Sequence, residues 1–260
     1  MTNYKNTIKL TLLFLSTLFF TNCSQKKNIV YFQNIDAISN LSQNKFEPTI
    51  QADDLLMIVV SSPDYEAAMP FNLETTMVPT VIGQAGLAQR QQQLYLVNKE
   101  GMIDFPVLGQ LKLGGKTRDE ITTMMKDKLN KYLKTPIVNI RIMNYKVTVQ
   151  GEVTRPGSYT INSERITLPE ALSLAGDLTI YGKRNNVLII REIDGKKSIN
   201  RVDLTKADFI NSPFYYLSQN DYVYVEPNGA KSNSSTFNQN IPVWISLSSV
   251  LISLFLIFKN

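Results

Sequence analysis

An 18-residue stretch without a charged side chain, Ile241–Phe258 (IPVWISLSSVLISLFLIF), constrains this chain more than any other feature. As a helix it would extend roughly 27 Å, close to the hydrocarbon thickness of a bilayer, so it is expected to span a membrane. Pro242 suits the first helical turn, Trp244 the membrane interface, and Lys259 can snorkel at the far end. At helical spacing Ser246, Ser249 and Ser253 fall in one stripe, while Leu247, Leu251, Leu254 and Phe258 cover the other side. This two-faced pattern has two readings. Either the serines are small-residue packing or bond back to their own carbonyls, or several copies assemble with the stripe turned toward a wet lumen. Lys231 and Lys259 are the only ionisable side chains between Asn228 and Asn260, which excludes a charged selectivity ring within the span.

A second apolar run, Leu10–Phe20 (LTLLFLSTLFF), follows Lys5 and Lys9 and has the length of a signal-peptide core, too short to cross a bilayer. The single cysteine, Cys23, stands where a bacterial lipoprotein signal places the thiol that is acylated, although Asn22 takes a position usually held by Gly or Ala. Residues 1–22 are therefore expected to be removed, leaving residues 23–46 as a lipid-anchored segment. Ser24-Gln25, with no aspartate after the cysteine, resembles lipoproteins sorted to the outer membrane. One cysteine cannot close an intramolecular disulfide. The absence of histidine removes the usual general base and the commonest metal ligand, so zinc, haem and Ser-His-Asp chemistry are not expected. Of the formal charge of +5, two lysines lie in residues 1–22, which hold no acid; the remaining +3 does not point to nucleic acid.

Between the ends lies a soluble body with recurring phrases. Gln51-Ala52-Asp53-Asp54 precedes the apolar run Leu55–Val60, and Gln219-Asn220-Asp221 precedes Tyr222–Glu226; each reads as a turn feeding a strand. Strand-like Gly101–Pro106 and Gly109–Leu113 lead into Thr117-Arg118-Asp119-Glu120, and Gly157–Ile161 leads into Thr167-Leu168-Pro169-Glu170. Both four-residue phrases fit a capping box and predict helix starts. The first helix keeps an apolar stripe through Leu129, Tyr132 and Leu133 until Pro136; the second is brief and ends at Gly176. Val138, Ile140 and Ile142 share one face, then Tyr145, Val147 and Val149 take the opposite parity, which implies a kink near Asn144. Asp194-Gly195 between two strands signals a hairpin. Phe71–Gln93 reads as a loop and Asn228–Asn240 as a polar linker. The body is thus α+β, with short helices on small mixed sheets.

Tyr95-Leu96-Val97, the phrase Gly101–Gly109 (GMIDFPVLG), Thr117–Glu120 and Thr135–Val138 resemble the export domain of the Wza-like outer-membrane polysaccharide export proteins. Val147–Val153 with Pro156-Gly157 and Tyr159, then Ala171–Leu178 and Gly182-Lys183-Arg184, resemble the soluble-ligand-binding β-grasp domain that follows it in that family. Where the family usually reads Pro-Gly-Asp, this chain reads Ala52-Asp53-Asp54. The resemblance implies an export domain over 47–145, one β-grasp domain over 146–227, a linker over 228–240 and a C-terminal transmembrane helix over 241–258. It further implies a ring-shaped homo-oligomer whose helices form a barrel through the outer membrane and pass capsular or exopolysaccharide. The implied partner is an inner-membrane polysaccharide co-polymerase, often a tyrosine autokinase; no cofactor, metal or catalytic residue is called for. In that reading Cys23 carries lipid, Ser246, Ser249 and Ser253 line the pore, and Trp244 and Lys259 mark the membrane interfaces. The alternative is a lipid-anchored periplasmic polysaccharide-binding or scaffold protein with a membrane tether.

Other signals read as structural. Asp53/Asp54 and Asp119/Glu120 are adjacent carboxylates in turns and caps rather than an acid–base pair. Phe214-Tyr215-Tyr216, Tyr222 and Tyr224 could stack on sugars, but alternating aromatics in strands usually pack. Gly114-Gly115-Lys116-Thr117 lacks the buried strand of a phosphate loop.

Overall fold

The chain is described here from a computed structural model over residues 26–37, 46–73, 76–78, 89–91, 93–193, 195–235 and 243–250. Alternation in β1 (Leu55–Ser61) buries Leu56, Ile58 and Val60. Helix α1 (Tyr65–Ala68) is capped by Asp64, whose carboxylate accepts from the Ala67 N–H. The stretch 71–93, expected to be loop throughout, contains an antiparallel pair, β2 (Thr76–Val78) and β3 (Gln89–Gln91). Three residues per strand are too few for an alternation to show. β4 (Tyr95–Leu96) precedes the hairpin of β5 (Met102–Phe105) and β6 (Gly109–Lys112), and α2 (Arg118–Leu129) and β7 (Ile137–Ile142) follow. β1 lies antiparallel between β4 and β7, and Ile121, Met125 and Leu129 of α2 join the buried faces of these strands in one core.

Thr117 forms the expected capping box with Glu120. Helix α2 stops at Leu129, a turn earlier than its apolar stripe suggests. Leu133 still reaches the core because its N–H folds back onto the Leu129 carbonyl, 2.8 Å away. In the glycine pair before α2, a Cβ on Gly114 would lie 2.8 Å from the Gly101 Cα, and Gly115 donates to the Ile50 carbonyl. These glycines let two backbones cross and hold no phosphate cradle.

The second core is built on β8 (Lys146–Gly151), β9 (Gly157–Thr160), β10 (Ile166–Thr167), α3 (Leu168–Leu174), β11 (Gly182–Ile193), β12 (Lys196–Val202), β13 (Tyr216–Leu217) and β14 (Tyr222–Pro227). Its five-stranded sheet runs β12-β11-β14-β8-β9, with β14 parallel to β8. Thr167 and Glu170 make the second capping box. At the other end of α3 the Asp177 N–H reaches the Leu172 carbonyl and the Gly176 N–H reaches that of Ser173, a Schellman ending with Gly176 at φ +74°. The β11–β12 hairpin turns at Gly195, φ +73°. The three- and five-stranded sheets and their helices give the α+β class read from the sequence, but the expected mixed sheet is found only in the second core; β4-β1-β7 is wholly antiparallel.

In place of an unbroken polar linker after β14, α4 (Gly229–Ser235) forms, because the Asn228 side chain accepts from the Lys231 N–H. Residues 243–250 are helical (α5) and exposed. Among the described residues no helix is long and apolar enough to cross a membrane. Residues 251–258, the remainder of the expected span, lie outside the described residues, as do Cys23, Ser253 and Lys259.

Candidate functional site

The two cores meet at a pair of matching turns. Asp53 and Asn220 adopt φ +67° and +61°, and the next residue of each turn, Asp54 and Asp221, is fully buried. Asp54 Oδ2 accepts from the Gln51 N–H at 2.8 Å and Asp221 Oδ2 from the Ser218 N–H at 2.7 Å. The left-handed position is thus filled by Asp in one turn and Asn in the other, residues whose short polar side chains tolerate it; at Asp53 this is where the resemblance expects a glycine. Asn144, at the parity reversal between β7 and β8, joins the turns. Its side chain accepts from the Leu55 N–H and donates to the Asp53 carbonyl, both at 2.9 Å. Gln219 donates to the Asn144 carbonyl and accepts from the Lys146 N–H, both at 2.8 Å.

The matching carboxylates differ in their surroundings. Asp54 Oδ1 is buried with no donor among the described residues in hydrogen-bond range. Burial pushes its carboxyl up to about 6, against the pull of the Gln51 N–H and the Gln219 amide. A raised carboxyl gives stability that is fully present below the ordinary value of 3.8 and is lost as pH rises to about 6. The unfolding free energy of the wild type minus that of Asp54→Asn is therefore expected to fall by about 2–3 kcal/mol between about pH 4 and about pH 7. Urea titrations of both proteins across that range check this; parallel pH profiles would refute it.

Asp221 instead meets Arg191. The Arg191 Nε lies 3.0 and 3.1 Å from its two carboxylate oxygens and Nη2 lies 2.7 Å from Oδ2; Nη2 also donates to the Tyr216 carbonyl at 2.9 Å. The Phe214 ring covers the guanidinium at 5.1 Å. Burial raises the Asp221 carboxyl, and Arg191 and the Ser218 N–H pull it back. Reading the sequence as turns and strands missed this pair, although a signal was present: Arg191 shares the parity of buried Val187 and Ile189.

The aromatic run has packing partners. Tyr215 tilts against Phe209 and meets Tyr216 edge-on, and Tyr216 stacks on Phe46 under Arg165. Tyr222 donates to Gln150. No group of three or more His, Cys, Asp or Glu among the described residues is placed to hold a metal ion.

The N-terminal segment, which carries no periodicity, lies on the second core. Phe32 and Gln33 N–H groups donate to the Leu204 and Thr205 carbonyls at 3.3 and 2.8 Å, and Asn34 Oδ1 accepts from the Ala207 N–H. Tyr31 donates to Asp177 at 2.6 Å, and Phe32 stacks on Phe209. In α5 the Ser246 hydroxyl donates to the Val243 carbonyl and the Ser249 hydroxyl to that of Ser246, each at 2.8 Å. Ser246 and Ser249 thus have the back-bonded geometry that was one reading of the stripe, as does Ser248 off it, whose hydroxyl donates to the Ile245 carbonyl at 2.8 Å; Ser253 lies outside the described residues. Trp244 is 66% exposed.

Comparison with known proteins matches this division of the chain. The family profile described as polysaccharide biosynthesis/export protein fits residues 42–143, and that of the SLBB domain fits residues 145–225. The EPS I polysaccharide export outer membrane protein EpsA of Ralstonia solanacearum is 30% identical over 137 residues, 51% of this chain and 36% of the relative. EpsA of Ralstonia nicotianae is 35% identical over 101 residues, 37% of this chain and 26% of the relative. The matches span about a third of these relatives' length or less. Since the export profile runs through β1 to β7 and the SLBB profile takes over at β8 and ends within β14, the chain joins a polysaccharide biosynthesis/export domain to an SLBB domain and is similar to polysaccharide export outer membrane proteins.

Proposed function

We propose that this protein is an oligomeric outer-membrane lipoprotein that exports capsular or exopolysaccharide to the cell surface through a channel. The reading rests first on the direct succession of the export and SLBB matches, and the relatives named as export outer membrane proteins support it. The family is one of transport and not of catalysis. In this reading Cys23 is the acylated N-terminus, residues 23–46 its anchor segment, 47–145 the export domain, 146–227 the β-grasp domain and 241–258 the membrane span. Residues 228–240 connect the last two.

Copies arranged in a ring would turn every serine stripe inward and every Leu/Phe face toward lipid, so rotational symmetry supplies the pore. A hydrated sugar polymer needs weak, replaceable hydrogen bonds along its path. Serine hydroxyls fit that need, since each is a small uncharged donor and acceptor that holds a sugar hydroxyl only weakly. An inner-membrane co-polymerase, met at the periplasmic mouth by the export domain, would feed the polymer in.

Cysteines placed at Ser246, Ser249 and Ser253 test the channel. In cells they are expected to react with a water-soluble maleimide several-fold faster than cysteines at Leu247, Leu251 and Leu254, and bulky adducts on the stripe are expected to reduce surface polysaccharide. Equal labelling of both faces would defeat the channel reading, and labelling of neither would favour the tethered scaffold.

A further inference from the structure

A strand shows successive residues to opposite faces, yet the neighbours Asn185 and Asn186 of β11 line one groove. The ladder explains how. Gly182 pairs with Pro227 and Val187 with Val225, so β11 advances five residues while β14 advances two, and the bulge turns the side chains between them out of register. The groove measures about 610 Å³. Its other walls are Asn28 and Ile29 of the N-terminal segment, Ile180 at the tip before β11 and Asn228 just past β14.

These walls are tied in place. Gln33 Nε2 donates to the Lys27 and Val30 carbonyls at 2.5 and 2.7 Å, which fixes the turn that carries Asn28 and Ile29. The Asn228 N–H donates to the Tyr181 carbonyl at 2.7 Å. Glu226 gathers the polar wall: Lys183 Nζ and Asn186 Nδ2 donate to its Oε2 at 3.1 and 3.0 Å, while Arg201 donates to its Oε1 and to Asn186 Oδ1. A groove whose walls are held beforehand loses less freedom when a ligand enters.

The lining also states what kind of ligand fits. Lys183 is its only ionisable residue among the described ones, and Glu226 neutralises it, so a phosphate or carboxylate finds no free cation there. Four asparagines remain, at 28, 185, 186 and 228. Each amide sets a donor beside an acceptor, which matches a sugar hydroxyl, itself both. Asn185 is exposed and its side chain has no partner among the described residues. Ile29 and Ile180, the latter 57% exposed, offer apolar contact to the C–H face of a sugar ring. An extended peptide would seek a strand edge instead, and β11 is paired on both sides. At Gly229, which also lines the groove, an added Cβ would meet nothing within 4 Å, so the room there belongs to the groove.

We infer that this groove is a saccharide subsite, which takes a short uncharged stretch of polysaccharide on its asparagine amides and its two isoleucines. The inference deepens the export reading and rests on it for the identity of the ligand, the exported polymer. Contacts of this kind are weak and replaceable, so a moving chain is guided without being stopped.

The test mixes full-length protein in detergent with short oligosaccharides made by partial hydrolysis of the surface polysaccharide of the cells that produce it. Saturation-transfer NMR and titration calorimetry read the binding. The wild type is expected to bind. Gly229→Trp fills the groove and should weaken binding at least about tenfold, whereas Gly229→Ala should change it less than about twofold. Asn185→Ala should cost roughly three- to tenfold, as the loss of one hydrogen bond does. All three variants should melt with the wild type; if Gly229→Trp fails to fold, Asn185→Ala decides alone. A wild type that binds no oligosaccharide overturns the inference and leaves the export reading standing. Binding that both Gly229→Trp and Asn185→Ala leave intact also overturns it, by placing the sugar elsewhere. Inorganic phosphate that binds to the wild type and is lost in Gly229→Trp would make the groove an anion site and overturn it too. The export reading is tested apart, in cells without the protein: surface polysaccharide that persists there at the wild-type level overturns that reading, and with it the identity of the ligand.

Discussion

Replacing Arg191 by methionine is expected to destabilise the second core by about 3–5 kcal/mol, because it leaves the Asp221 carboxylate fully buried without its cation. The three contacts between the two groups and the Tyr216 carbonyl bond would all go at once. The loss should be largest near neutral pH and shrink in acid, where the orphaned carboxyl protonates. The double variant Arg191→Met/Asp221→Asn removes the uncompensated charge while keeping an acceptor for the Ser218 N–H. It is expected to recover at least about half of the loss, a coupling that urea denaturation of the two singles and the double would measure. A single-variant loss below about 1 kcal/mol would mean that the pair contributes little.

Gly151→Ala should be at least as damaging, on the order of 3 kcal/mol or more, through a different cause. A Cβ on Gly151 would sit 2.1 Å from the Val225 carbonyl oxygen, at φ +92°. That oxygen receives the Glu152 N–H at the end of the parallel β14–β8 ladder, so backbone must move and the ladder must shorten. Gly195→Ala provides the comparison: it has φ +73° but nothing within 4 Å of the added carbon, and should lose only about 1–2 kcal/mol to the left-handed backbone. Thermal melts of the two variants separate the clash from the strain. Similar melting temperatures would remove the clash as the explanation.

What the sequence made legible was local. The two capping boxes sit where Thr117/Glu120 and Thr167/Glu170 put them, because both partners lie within one helical turn. The parity change around Asn144 marks the passage from one sheet to another, because one-residue slips are costly wherever one face is buried. What escaped depended on distant partners. Arg191 finds its acid thirty residues away, and the strap at residues 31–34 docks through two backbone N–H groups and through Tyr31, Phe32 and Asn34 side chains whose partners lie far along the chain. Helix α4 was hidden because it has no apolar stripe and starts from an asparagine cap in a polar stretch. The unit pair of turns was visible as a repeated phrase. That Asp53 and Asn220 would take up the left-handed region was not, since those residue types are merely tolerant of it.

The Asn144 joint sets the balance between a stiff body and a jointed one. Swinging the two cores apart breaks at least two hydrogen bonds on one side of Asn144, either those to Leu55 and Asp53 or those made through Gln219, together with the Arg118–Glu164 ion pair and the Phe46–Tyr216 stack. At about 1 kcal/mol for each hydrogen bond alone, the bent conformer holds no more than roughly three molecules in a hundred, so the two cores move as one stiff body.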